Sequence, residues 1–460
     1  MWGFLGLVVF VSLVNPLQGV PKDTSPAVVS VFSPEALRRY VITTLLHNDM
    51  LQNYILAIRI PDIPSKAPAE HWITNMYVLR VFLPHVNLEL QETGSAMLII
   101  KARLHFSAKG HFGKHVERFD FIVDLDMVIG FRFVNYFNGL IEVKVESCKT
   151  DFKIAKIILP SHLQSHTVRP VVASVLSDTL QGLVCHVVEV LLKFVKTDLL
   201  STINVILPMG KVATIEYRLA SVPLISAHVF TVEKHMFIRI GSRTIAPPPR
   251  SIVYPVPSLK DNALCFGMTE PCADTVLSVL LQMGALEFMV TPQIFSAAEE
   301  LTTAVSALFA HGKCPKCPVK SPLKITITVV GDKRLVIEPK KATLKITIEI
   351  TFYSKGPTGA FSNLFTLKVN IRLTTQASVH DCFLYFVTKM LSVEVLLLHS
   401  DVGPIDIAPL EKWMQLLLEE AFVPQVNDLL QVGFPLPSPL DIQLNYPYIH
   451  WMLGMLVICA

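Results

Sequence analysis

Alternation of apolar and polar residues is the dominant pattern along this chain. In IKARLHF (100–106), FDFIVDLD (119–126) and IEVKVE (141–146), apolar side chains take every second position, with one exception in the second stretch. LKITITVV (323–330) and LKITIEITF (344–352) repeat the alternation in the second half of the chain. A period of two residues predicts antiparallel strands with one face buried and the other in water.

Helical spacing replaces this alternation at five places. SPEALRRY begins the first helix, with Ser33 at the N-cap, Pro34 at the first helical position and Glu35 in the first turn. The other four helices are expected over Val171–Leu200, Asp274–Gly284, Ile294–Ala310 and Leu410–Val432, the last with a kink at Pro424. Each half of the chain therefore has an early helix, a set of strands and a late long helix.

A proline-rich segment divides the chain. IAPPPRSIVYPVPS (245–258) has five prolines in fourteen positions, which is typical of a semi-rigid spacer. The expected domains are residues 20–244 and 259–460. Residues 1–19 have the apolar core and the small residues of a secretory signal peptide. The sequence thus predicts a secreted, extracellular protein, with the endoplasmic reticulum lumen as the alternative.

Composition restricts the classes of function. Apolar residues make up 51% of the 460 positions and charged residues only 17%. Beyond the first twenty residues, no apolar run approaches the roughly 20 residues that span a bilayer. So much apolar sequence must form a large core or line a cavity.

The charge is small and unevenly distributed. Residues 20–244 contain 24 Lys and Arg against 19 Asp and Glu, a net +5, whereas residues 245–460 contain 16 against 18, a net −2. This net positive charge is far smaller than that of a typical nucleic-acid-binding protein, so no nucleic-acid partner is expected.

Motifs for catalysis are absent from the sequence. There is no GxSxG, no P-loop, no GxGxxG after a strand and no HExxH. The CPKC motif (Cys314 to Cys317) has metal or redox spacing but no second pair of ligands, so a loop disulfide or two free thiols is favoured. We therefore expect no enzymatic activity, no metal and no cofactor.

One basic hairpin could contact an anionic surface. HFSAKGHFGKH gathers His105, His111 and His115 beside glycines, which favours a water-exposed hairpin tip; an anionic-headgroup contact is the second interpretation and a metal cluster the third. The basic residues of the second interpretation are Lys101, Arg103, Lys109, Lys114 and Arg118.

Three further stretches, in this order, carry a family resemblance. AIRIPDIP (57–64), LHSDVGPIDIAPLEKWM (398–414) and VNDLLQVGFPLPSP (426–439) resemble segments of the bactericidal/permeability-increasing, lipopolysaccharide-binding and PLUNC family. Cys148 and Cys185 match the single disulfide of that family's first domain. The pairing of Cys265, Cys272, Cys314, Cys317, Cys382 and Cys459 stays open.

The resemblance implies an α+β fold of two similar domains in a boomerang, joined by a central sheet and the proline-rich linker. Each domain would be a twisted antiparallel sheet wrapped around long helices, with an apolar pocket for phospholipid acyl chains. The expected partner is thus a phospholipid or other acyl lipid. The small charge argues against the potent endotoxin binding of cationic members, so only weak contact with anionic membrane or lipopolysaccharide surfaces is expected.

Apolar residues on the predicted helices are the candidates for the pocket lining. In the first domain they are Leu37, Tyr40, Val41, Leu45, Leu180, Leu183, Val187 and Leu191, and in the second Leu277, Leu280, Leu417, Leu418, Leu429 and Leu430. The alternative is an interaction or regulatory protein of the same fold, in which side chains fill both pockets. A hydrolase with scattered catalytic residues is the third hypothesis.

Overall fold

A computed structural model places most of the chain. It describes residues 26–62, 71–112, 115–137, 139–161, 165–249, 256–283, 288–289, 294–308, 323–355, 359–444 and 447–460. The predicted signal peptide, residues 250–255 of the linker, Lys114 and the motif from Cys314 to Cys317 lie outside this set. The predictions made for them, and the domain boundaries, therefore stay predictions.

Eight α-helices occur among the described residues, and we number them in chain order. They are α1 (Pro34–Leu46), α2 (Met50–Leu56), α3 (Ser165–Val175), α4 (Gln181–Ile203), α5 (Glu270–Met283), α6 (Ala298–Ala307), α7 (Glu411–Leu417) and α8 (Val423–Leu430). Two π-helical turns, Leu176–Leu180 and Leu418–Phe422, join α3 to α4 and α7 to α8.

The described strands form three antiparallel sheets. The first-domain sheet has the order β2 (His71–Leu90), β3 (Ala96–Phe112), β4 (His115–Phe137), β5 (Leu140–Ile158). The second-domain sheet has the order β12 (Phe288–Met289), β13 (Leu323–Glu338), β14 (Lys341–Lys355), β15 (Phe361–His380), β16 (Phe383–Ser400), β17 (Phe434–Pro435). The central sheet has the order β18 (Tyr448–Met452), β19 (Met455–Cys459), β11 (Leu264–Thr269), β1 (Val28–Phe32), β9 (Phe230–Ile240), β7 (Ala213–Leu219), β6 (Val205–Met209), with β8 (Leu224–Ile225) and β10 (Arg243–Ile245) also paired to β9.

The central sheet joins the two halves of the chain. Strand β1 lies between β9 of the first half and β11 of the second, and all five of its residues are buried. A strand that is buried on both faces is expected to be apolar throughout, as VVSVF nearly is. The predicted α+β class, with two similar halves joined by a central sheet, is confirmed.

The alternating stretches form the strands that their pattern predicts. In β4, the apolar set Phe119, Phe121, Val123 and Leu125 is buried at 2% exposure or less, and the intervening aspartates are not. β14 alternates in the same way along nearly its whole length. The buried faces of the sheets join the helices in one continuous core.

The helices agree with prediction at their centres and differ at their ends. Ser33 caps α1, where its Oγ accepts a hydrogen bond from the Ala36 amide at 3.1 Å. The fifth predicted helix is interrupted by the π-helical turn that immediately precedes α8 and Pro424. A proline cannot donate to the preceding turn and its ring crowds the carbonyl four residues back, so a wider turn relieves the clash. The third helix begins four residues earlier than predicted, at Glu270, and the fourth is shorter at both ends, Ala298–Ala307.

Two disulfides are present among the described cysteines. Cys148 of β5 is bonded to Cys185 of α4, which confirms the pairing that the resemblance implied. Cys265 of β11 is bonded to Cys459 of β19, directly opposite it in the central sheet. The second bridge ties the last strand of the chain to the first strand of its second half. The described free thiols are the buried Cys272 and the half-buried Cys382.

A lysine is buried where the two halves meet. The ammonium of Lys234, on the core-facing side of β9, lies 5.6 Å from the centre of the Phe266 ring and 6.0 Å from that of the Tyr217 ring. It has no hydrogen-bond partner among the described residues, and its burial lowers the pKa of the ammonium to about 7. The Tyr217 hydroxyl donates to the carbonyl of Pro435 at 3.0 Å, which links the central and second-domain sheets.

Candidate functional site

An apolar slot lies between the helices of the first domain and its sheet. Helices α1 and α4 form one wall, and strands β2 to β5 together with β8 form the other. The lining of this first-domain slot is Leu37, Val41, Leu88, Ala96, Phe131, Phe133, Val143, Leu192, Val195, Lys196, Leu199 and Ile225. Eleven of these twelve residues are apolar, and Lys196 is the exception.

The first-domain slot is narrow. Its empty volume, including the mouth, is about 380 Å³, but the part that could hold water molecules amounts to only about 20 Å³. A space of that size accommodates roughly one water molecule. A bound acyl chain would therefore have to move the helices away from the sheet.

Local sequence spacing brings the lining together. On α1, Leu37 and Val41 are four residues apart and so share one face of the helix. On α4, Val195 and Leu199 have the same spacing. On β4, Phe131 and Phe133 are two residues apart and pack edge to face, with ring centres 6.4 Å apart.

Hydrogen bonds hold the two helices of the slot together. The Tyr40 hydroxyl donates to the Asp198 carboxylate at 2.6 Å, and the Thr44 hydroxyl donates to the same oxygen at 3.1 Å. Burial raises the pKa of Tyr40, and the bond to Asp198 adds to this effect. The phenol therefore stays protonated and remains a donor at physiological pH.

The predicted lining residues of the first domain separate into two groups. Leu37 and Val41 line the slot. Tyr40 instead makes the hydrogen bond to Asp198 that clamps α1 to α4, and Leu45 is buried in the core. The four predicted residues of the later helix are not among the slot lining: Leu180 and Leu191 are buried, and Leu183 and Val187 are half-buried. Whether any of these residues contacts lipid stays a prediction.

The missed residues of α4 are Leu192, Val195, Lys196 and Leu199, which follow the last predicted residue, Leu191. The predicted residues Leu183, Val187 and Leu191 advance four positions at a time, and each such step rotates about 40° beyond a full turn. A set with this spacing therefore drifts around the helix. The spacing of Leu192, Val195 and Leu199 was the available signal. The contributions of Leu88, Ala96 and Ile225 from distant strands had no local signal.

The predicted lining residues of the second domain lie mainly in its core. Leu277, Leu280, Leu417, Leu418 and Leu430 are at most 1% exposed, and Leu429 is half-buried. They pack in the interior between the second-domain helices and the sheet.

A separate groove crosses the surface of the second domain. It lies between β16 and α7, with about 610 Å³ of space open to water, and none of the predicted leucines lines it. Its walls include Glu394, Glu411, Glu419 and Lys412. The groove is polar and acidic, unlike the slot of the first domain.

The basic residues of the β3–β4 hairpin do not form one cluster. Lys109 and Arg118 are opposite each other near its end, but Lys101 is eight residues, or roughly 26 Å, further along the strand. Arg103 makes two hydrogen bonds to Asp124, at 2.7 and 3.1 Å, and this contact lowers the pKa of Asp124. The prediction of an anionic contact therefore rests mainly on Lys109 and Arg118.

The part of the chain that the structure describes has neither a metal-binding cluster nor a membrane-spanning helix. No group of three or more His, Cys, Asp or Glu side chains among the described residues is arranged to hold a metal ion. His105 faces Asp120 at 3.5 Å, whereas His111 is hydrogen-bonded to Thr74. None of the described helices is both long enough and apolar enough to cross a bilayer.

Comparison with known families agrees with this architecture. Residues 208–460 match the model of the LBP / BPI / CETP family C-terminal domain, and residues 44–202 match that of the N-terminal domain. This chain belongs to the LBP/BPI/CETP family. The family resemblance expected from the sequence motifs is thereby confirmed.

Individual family members are distant in sequence. BPI fold-containing family B member 3 of Mus musculus is 28% identical over 290 residues, which cover 63% of this chain and 61% of the relative. BPI fold-containing family B member 6 of Homo sapiens is 26% identical over 384 residues, which cover 81% of this chain and 82% of that relative. The chain thus spans about three fifths of the length of the mouse relative.

A solved structure shares the fold. The crystal structure of lipopolysaccharide binding protein matches with a TM-score of 0.53 and 19% identity, over 95% of this chain and 99% of that one. At this identity the likeness shows the fold alone. The LBP/BPI/CETP fold of two domains and antiparallel sheets is therefore established for this chain.

Proposed function

We propose that this chain is a non-enzymatic lipid-binding protein that holds an acyl chain of a phospholipid-like molecule in the first-domain slot. The observation that carries the proposal is the lining itself, in which eleven of twelve residues from α1, α4 and the sheets are apolar. Burial of an acyl chain contributes up to ~0.8 kcal/mol per methylene group. The gain for a chain of about sixteen carbons is therefore roughly 13 kcal/mol before ordering costs.

The proposed setting is extracellular. The apolar segment at residues 1–19 supports secretion, and a role in innate defence at epithelial surfaces follows as a proposal from the family. Contact with anionic membrane or lipopolysaccharide surfaces is a weaker part of the proposal, because Asp124 offsets the charge of Arg103.

A second candidate function is favoured by a different observation. Five of the six predicted lining leucines of the second domain are fully buried, and its surface groove is acidic. These features support an interaction or regulatory role for the second domain. On this reading the lipid would occupy the first domain alone.

Lipid extraction tests the leading proposal. Full-length protein purified from its own secretion is examined by native mass spectrometry and by organic extraction. We expect co-purified acyl lipid in the wild type and a several-fold lower amount in Ala96→Leu, since Ala96 lines the slot.

The matched control is Ala102→Leu. Ala102 is buried on the same face of β3 but does not line the slot. Both substitutions add three carbon atoms to a buried side chain. A loss of lipid in Ala96→Leu but not in Ala102→Leu would therefore show that the lipid occupies the slot. Reproducible absence of lipid from the wild type would favour the interaction protein instead.

A further inference from the structure

Lys196 is the single charged side chain in the lining of the first-domain slot. The apolar lining residues can bind an acyl chain, but non-directional hydrophobic contact does not distinguish one headgroup from another. A cation in an otherwise apolar lining therefore has the greatest influence on which headgroup is accepted.

The ammonium of Lys196 is free to pair with a ligand. The two acidic residues of α4 are engaged elsewhere, because Glu189 pairs with Lys193 at 2.9 Å and Asp198 accepts from Tyr40. None of the described residues forms an ion pair or hydrogen bond with Lys196. The neighbouring Lys193, by contrast, is exposed and paired.

The position of Lys196 strengthens its effect on an anion. The residue is half-buried, and a lysine at such a site can lay its methylene stem along apolar surface while the ammonium stays hydrated. Charges that are partly withdrawn from water attract each other more strongly than fully exposed charges do.

The size of the slot limits the number of acyl chains. The space within it that is open to water is about 20 Å³, far below the roughly 300–1,000 Å³ of ligand sites. Even one acyl chain therefore requires the helices to move away from the sheet, and two chains would require a much larger separation.

We propose that the first-domain slot selects an amphiphile with one acyl chain and an anionic head, either carboxylate or phosphate, which forms an ion pair with Lys196. This inference rests on the proposed function, because it requires that the slot bind an acyl chain. It adds a headgroup class and the residue that determines it.

Binding to three probes tests the headgroup preference. Delipidated full-length protein is titrated by calorimetry with palmitate, with a monoacyl lysophosphatidate and with the neutral monopalmitoylglycerol. For the wild type we expect at least one anionic probe to bind about tenfold more tightly than the neutral one. The palmitate and lysophosphatidate arms distinguish a carboxylate from a phosphate head.

Substitutions assign the preference to a residue. Lys196→Met should reduce anionic binding to the neutral level without changing monopalmitoylglycerol binding, and Lys196→Arg should retain the preference. Lys193→Met is the matched control, since Lys193 is on the same helix but outside the slot lining. Circular dichroism of each variant checks that the fold is retained.

The outcomes separate the two proposals. Equal binding of neutral and anionic probes to the wild type, or an undiminished preference in Lys196→Met, overturns the role of Lys196 while lipid binding stands. Failure of all three probes to bind the wild type overturns lipid binding in the slot, and the headgroup inference with it.

Discussion

The Tyr40 hydroxyl and the Asp198 carboxylate are joined by a 2.6 Å hydrogen bond across 158 residues of sequence. The bond connects α1 to α4, and neither of its residues lines the first-domain slot. The same two helices contribute Val41 and Leu199 to the slot lining. The spacing of the helices, and hence the width of the slot, is thus held by a polar contact outside the lipid site.

Replacing Tyr40 by phenylalanine should destabilise the protein. A hydrogen bond to a charged group contributes about 1.5–3 kcal/mol, and the substitution also leaves Asp198 with the Thr44 hydroxyl alone. Urea denaturation of Tyr40→Phe measures the loss. Tyr54→Phe, at an exposed tyrosine of α2, is the control. Equal stability of the two variants would show that the clamp contributes nothing.

The disulfide between Cys148 and Cys185 should stabilise the first domain substantially. It closes a loop with a sequence separation of 37, for which the chain-entropy model gives about 4 kcal/mol. We expect Cys148→Ser with Cys185→Ser to lose stability of this order in chemical denaturation. Cys382→Ser, which removes a free thiol, serves as the control. A decrease of less than about 1 kcal/mol in the free energy of unfolding would contradict the chain-entropy account of this disulfide's stabilising effect.

The second disulfide and the free thiols should be distinguishable by chemical mapping. Non-reducing peptide mapping is expected to recover Cys265 linked to Cys459. Iodoacetamide should label Cys382 in the native protein but Cys272 only after unfolding, because Cys272 is buried and burial raises the pKa of its thiol. Native labelling of Cys272, or recovery of Cys459 as a free thiol, would rule out this arrangement of the central sheet.

Lys234 should make stability depend on pH. Its pKa is about 7 in the folded protein, because of burial, and about 10.4 in an unfolded chain. Between these values the unfolded state binds more protons, so stability rises with pH from about 7 to about 10. Below pH 7 the full cost of the buried charge is present.

Lys234→Met should therefore stabilise the protein most at pH 7 and below, on the order of 4 kcal/mol, with a gain that shrinks as pH rises. Thermal unfolding of wild type and variant between pH 6 and 9 measures the difference. Lys211→Met, at an exposed lysine, is the control and should show no such trend. A gain that is constant over this range would mean that Lys234 is not titrating.

Two of the twelve lining residues of the first-domain slot could be predicted from the sequence. Helical spacing identified Leu37 and Val41, both of which line the slot. The same reasoning selected Leu180 and Leu191 on the later helix, which are buried but do not line the slot. Helical spacing cannot distinguish a residue that lines a pocket from one that is simply buried in the core. Lys196 was missed, since one lysine on an amphipathic helix has no distinguishing local signal.

The sequence by itself determined the strands, most of the helices and the cap at Ser33, because alternation, helical spacing and turn chemistry act over a few residues. Its motifs, taken in order, also identified the family and the bridge from Cys148 to Cys185. Only the tertiary structure decided which helix face meets the sheet, that Cys265 lies opposite Cys459, and that Lys234 is buried without a hydrogen-bond partner among the described residues. These features depend on register and packing between segments that are not adjacent in the sequence, and no local pattern encodes such contacts.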